Sequence, residues 1–78
     1  MNWYDDFSSS NVNRLGWDAE KGECFVQFKD KQGNPTSTWA YGRMSREDFD
    51  AIRHAESVGG MVNKTLVRGG IYSSRKVE

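Results

Sequence analysis

A chain of 78 residues with 11 Lys plus Arg against 11 Asp plus Glu, one His, one Cys and one Pro has room for a single domain with a thin core. Zero net charge excludes a generally basic nucleic-acid binder; one Cys excludes an internal disulfide, and one Cys with one His excludes an ordinary zinc site. No apolar run nears the roughly 20 residues of a membrane span, and the start Met1-Asn2-Trp3-Tyr4-Asp5-Asp6 is unlike a signal peptide, so a soluble, cytoplasmic protein is expected.

In chain order, residues 1–8 read as an aromatic and acidic leader, and Ser8-Ser9-Ser10-Asn11 as a loop. Val12 to Trp17 is a first strand, closed by the polar turn Asp18-Ala19-Glu20-Lys21-Gly22. Glu23 to Lys29 is the clearest strand, with Cys24, Val26 and Phe28 on one face by the period of two. Asp30 to Pro35 has turn composition, and Thr36 to Tyr41 is a third strand rich in β-branched and aromatic residues. Two short connections in succession predict an antiparallel meander. At Ser45 the period changes: Ser45 caps a helix, Asp48 stands in its first turn, and Phe49, Ile52 and Ala55 or Glu56 form its apolar stripe. Gly59-Gly60 is read as the end of that helix, and Met61 to Val67 as a second short helix. Ile71 and Tyr72 return to the core, and residues 73–78 form a flexible tail.

The fold expected is therefore α+β. A three-stranded antiparallel β-meander packs against one α-helix, with a second short C-terminal helix, in a single domain over residues 9–72. Its core is to hold Leu15, Val26, Phe28, Phe49, Ile52 and Leu66.

The runs Ser9-Ser10-Asn11-Val12, Leu15-Gly16-Trp17-Asp18, Cys24-x-Val26-x-Phe28 and Trp39-Ala40-Tyr41, taken in order, resemble the KTSC domain. That small domain is named after the C-terminus of some lysyl-tRNA synthetases and also occurs alone in bacterial and phage proteins. Phe49, Ile52, Ala55-x-Ser57-x-Gly59, Asn63-x-x-Leu66 and Tyr72 continue the likeness, which spans residues 9–72. Trp39-Ala40-Tyr41 takes the place of the family's central Tyr-x-Tyr; Ser45 stands where Pro is common, and Met61 and Val62 where aromatic residues are usual. What the resemblance implies for function is RNA binding.

Catalysis is not expected. A Ser or Cys nucleophile needs a neighbouring base, the only His is His54 on a helix flank, and Cys24 points to the core. No phosphate-loop or dinucleotide fingerprint is present, and no metal or cofactor is implied. Charge does carry a signal: residues 1–40 sum to −2 and residues 41–78 to +2, with no acid from Ser57 to Val77. Gly59, Gly60, Asn63, Lys64 and Arg68 thus form a candidate phosphate-binding stretch. Trp39 and Tyr41 share a strand face and read either as core or as a base-stacking platform. Two functions stay open. One is a non-catalytic binder of nucleic acid or a small phosphorylated nucleotide, on the scale of phage counter-defence proteins that sequester a nucleotide signal. The other is an interaction module for a host protein or for a second copy of the chain, a homo-oligomer.

Overall fold

Alternation in the middle of the chain builds the sheet in the computed structural model, which describes residues 1–78. In β3 (Glu23–Lys29) Cys24 and Val26 are fully buried on one face, while Phe25 and Gln27 lie on the other. β2 (Val12–Asp18) and β4 (Pro35–Gly42) flank it antiparallel. The register aligns Leu15 with Val26 and Trp39, and Trp17 with Cys24 and Tyr41. One face therefore carries a continuous apolar field. The turns obey their chemistry: Asp18 Oδ1 accepts from the Glu20 amide at 3.1 Å and Asp30 Oδ1 from the Asn34 amide at 2.9 Å. Gly22 and Gly33 supply the positive φ, 64° and 86°, that each turn requires.

The meander has five strands, not three. β1 (Asn2–Tyr4) lies in the expected leader and pairs with β2, and β5 (Ser73–Lys76) lies in the expected tail and pairs with β4, giving the order β1-β2-β3-β4-β5. Neither edge has an alternating apolar signal; β1 is three residues long and β5 reads Ser-Ser-Arg-Lys. They become strands because β2 and β4 each present a row of amides and carbonyls that need partners. Beyond β5, the Thr38 amide donates to the Glu78 carbonyl at 2.8 Å.

Ser45 does start a helix. α1 (Arg46–Arg53) begins with the Asp48 amide donating to Ser45 Oγ at 3.1 Å and buries Phe49 and Ile52. It ends at Arg53, with His54 as its C-cap, well before the glycine pair. Gly59 and Gly60 instead lie inside α2 (Val58–Val62), and neither has positive φ. Ser57 caps this second helix, its Oγ accepting from the Gly60 amide at 3.1 Å. The chain separates into two helices because Val58 and Val62, both buried, form their own stripe over the sheet. Gly59 is needed for close approach: a Cβ there would meet Ser9 Oγ at 2.8 Å and Asn11 Oδ1 still closer. A π-helical segment, Asn63–Val67, continues α2 and buries Leu66.

Leu15, Val26, Phe49, Ile52 and Leu66 are all in the core, joined by Val12, Trp17, Tyr41, Val58 and Val62. Phe28 is only partly buried and stands at the core's margin. The opposite sheet face carries the row Trp3, Gly16, Phe25, Ala40 and Arg75. Trp3 meets Phe25 edge-on at 6.3 Å, and Arg14 lies 4.0 Å over the Trp3 ring. No helix is long and apolar enough to cross a membrane.

Candidate functional site: two adjoining clefts

Where β3 and β4 emerge from beneath α2, the partly buried Phe28 and Trp39 leave the sheet incompletely covered. A cleft of about 520 Å³ opens there, walled by Phe28, Trp39, Tyr41, Leu66 and Val67, with Asn11, Ser37, Asn63 and Ser74 as its polar members. A second cleft, about 470 Å³, has no apolar lining residue: Ser8, Ser9, Ser10 and Asn11 face Glu56, Ser57, Gly59, Gly60 and Asn63. Asn11 and Asn63 line both. The two clefts adjoin at these residues, one aromatic and the other rich in hydroxyl and amide groups. Each volume falls in the range of small-molecule sites.

Local structure fixes the two asparagines. Ser9 Oγ donates to Asn11 Oδ1 at 3.0 Å and accepts from the Asn11 and Val12 amides at 3.3 and 3.1 Å, a side-chain-stabilised turn. The Asn11 carbonyl accepts from the Lys29 amide at 2.9 Å, which ties the turn to the end of β3. Asn63 sits at the junction of α2 and the π-helical segment, where its carbonyl accepts from the Arg68 amide at 2.9 Å. Thr65 Oγ1 donates to the Met61 carbonyl at 2.6 Å in the same stretch. The widened turn places buried Leu66 and exposed Val67 together on the aromatic cleft wall. Such π-turns occur preferentially at functional sites.

The residues singled out from sequence separate into three groups. Gly59, Gly60 and Asn63 line the polar cleft, with Gly59 buried and the Gly60 amide engaged by Ser57. Trp39 and Tyr41 line the aromatic cleft, but unequally. Tyr41 is 4% exposed and forms part of the core, its hydroxyl pKa raised by burial; Trp39 is half-buried and presents the accessible ring. Lys64 and Arg68 are exposed and line neither cleft. Asn11, Glu56 and Phe28 were not among the site residues expected, although the Ser-rich loop before Asn11 carries the composition of a side-chain-stabilised turn.

Cys24, His54 and Tyr72 line neither cleft. Burial pushes the Cys24 thiol up to about 12, so it stays protonated within the sheet. His54 is exposed at the end of α1. Tyr72 donates to Asp48 Oδ2 at 2.9 Å, and its pKa is raised first by burial and then by that bond. No three His, Cys, Asp or Glu side chains are grouped so as to hold a metal ion. No family model matches the chain, and no curated protein matches it in sequence.

Proposed function

We propose that the protein is a KTSC-like, non-catalytic binding module that takes a nucleotide, free or within a short single strand of nucleic acid. The observation that carries this reading is that an aromatic cleft and a polar cleft adjoin, with Asn11 and Asn63 lining both. A base stacks on Trp39 against Phe28 and Leu66, since every base has an apolar face. The paired donors and acceptors of the asparagine amides address its edge, and the Ser-lined cleft lies next to it for the sugar. Zero net charge favours a small ligand over a long duplex, where affinity grows with the number of neutralised phosphates. A module of this kind acts by sequestering its ligand.

The test is calorimetric titration with the four ribonucleotides, with cyclic nucleotides and with short single-stranded RNA. Binding should weaken roughly 5- to 150-fold in Trp39→Ala, the value of one base–aromatic stack, without loss of fold. No heat with any of these ligands would overturn the reading.

The open sheet face favours a second reading, an interaction module. Met1 is 61% and Trp3 37% exposed there, beside Phe25 and Arg14. Aromatic and Arg side chains are the usual anchors of protein interfaces. Sedimentation of wild type and Trp3→Ser separates the two: a dimer or a captured partner lost only in Trp3→Ser supports it.

A further inference from the structure

The two adjoining clefts are unlike an anion site in their charge. Glu56 is the only charged residue that lines either cleft. Lys64 and Arg68 lie outside both. Arg53, which borders a third depression together with Glu56, is engaged elsewhere: it pairs with Asp6 at 3.0 Å and lies 3.9 Å over the Tyr4 ring. The Gly60 amide already donates to Ser57. A phosphate in the polar cleft would therefore face a carboxylate with no cation lining the same space.

A nucleoside meets no such conflict. Its base is apolar on both faces and suits the Trp39 end, while its sugar is neutral and rich in O–H donors. A carboxylate accepts from such hydroxyls, as the acidic residue of dinucleotide-binding folds accepts from a ribose 2′-hydroxyl. We infer that the polar cleft holds the ribose of a nucleoside unit, with Glu56 accepting from its hydroxyls, and that any phosphate on the ligand remains in solvent. This assignment rests on the base-binding reading above. It makes Glu56 a specificity-determining residue that separates ribose from deoxyribose.

The experiment titrates adenosine, guanosine, cytidine and uridine, their 2′-deoxy counterparts and their 5′-monophosphates into wild type and Glu56→Gln, at low and high salt. For the base that binds best, the ribonucleoside and its monophosphate should agree within about 3-fold, with little salt dependence. The deoxynucleoside should bind roughly 3- to 10-fold more weakly, the loss of one hydrogen bond to an exposed carboxylate. Glu56→Gln keeps an accepting oxygen but loses its charge, so it should weaken the ribonucleoside more than the deoxynucleoside and narrow that difference. Glu56 is exposed, and thermal melts of the variant check that the fold is intact. A monophosphate more than tenfold tighter than its nucleoside, or equal ribose and deoxyribose affinity in wild type, overturns the Glu56 assignment and leaves base binding standing. Absence of binding by every ligand overturns both.

Discussion

The centre of the sheet and its edges are held by different forces. In β2, β3 and β4 the chain is fixed by apolar burial: Leu15, Cys24 and Val26 are all 0% exposed, and Phe49 descends from α1 to meet Trp17 at 5.0 Å. At the edges the fastenings are cations. Arg14 covers Trp3 at 4.0 Å, Arg53 covers Tyr4 at 3.9 Å, and Arg53 also pairs with Asp6 at 3.0 Å. On the far side Arg75 lies 5.9 Å over Phe25 and pairs with Glu23 at 3.2 Å. Burial is insensitive to salt and to moderate pH, whereas exposed charge pairs are screened and small. The centre should therefore set global stability, and the edges should open first.

The sharpest test of that division compares one residue from each region. Phe49→Ala removes a fully buried ring and should cost about 3–5 kcal/mol, on the order of the whole stability of so small a domain. Trp3→Ala removes a larger ring that is 37% exposed and should cost no more than about 2 kcal/mol. Urea unfolding of the two variants decides; equal losses would break the comparison. A second central effect is alkaline. The Cys24 thiol rises from 9.0 to about 12 on burial, so the folded chain holds its proton after the unfolded chain has lost it. The associated stability is present in full below about pH 9 and is lost as pH climbs toward 12, reaching roughly 4 kcal/mol. Cys24→Ala should flatten the alkaline limb of the stability–pH curve relative to wild type.

The same division explains what could be read from the sequence. The central strands announce themselves through Cys24, Val26 and the Trp39–Tyr41 pair, because alternate burial imposes a period of two. The Ser45 cap and the Phe49–Ile52 stripe are equally local signals. β1 and β5 carry none, since what makes them strands is the unpaired edge beside them. The glycine pair was legible as a special feature but not as the right one. A helix end and a helix that must approach Asn11 closely both call for glycine, and only the fold distinguishes them. For the site, Trp39, Asn63, Gly59 and Gly60 follow from composition, whereas Asn11 and Glu56 join them only because the loop before β2 folds against α2.

Gly16 offers an intermediate perturbation confined to one edge. A Cβ at this position would come within 2.9 Å of Trp3 Cζ3 and 3.1 Å of Met1 Sδ. Gly16→Ala should therefore push Trp3 away from the sheet face and loosen β1, at a cost of about 1–3 kcal/mol. Amide exchange should accelerate in residues 2–4 while Val26 and its neighbours in β3 keep their protection. Uniform acceleration through β3 would mean that the edge and the centre unfold as one unit.

The smallest effect lies in the Asp6–Arg53 fastening, and its sign is set by pH. The Arg53 guanidinium, hydrogen-bonded to Asp6, holds that carboxyl below its ordinary value of 3.8. A depressed folded value means that the stabilisation is present in full above the unfolded value and disappears as pH falls through the folded one. The pair is exposed to solvent, the Asp6 side chain by 57%, so salt screens it further. Asp6→Asn keeps the side chain's shape and removes its charge. Wild type should melt slightly higher than Asp6→Asn at pH 7 in low salt. The gap should narrow in high salt and close as pH falls through the folded-state value, once the wild-type carboxyl is protonated. A gap that persisted after the wild-type carboxyl had titrated would show that Asp6 fastens the loop after β1 through shape and neutral hydrogen bonding, and that this edge is held as the centre is, without charge.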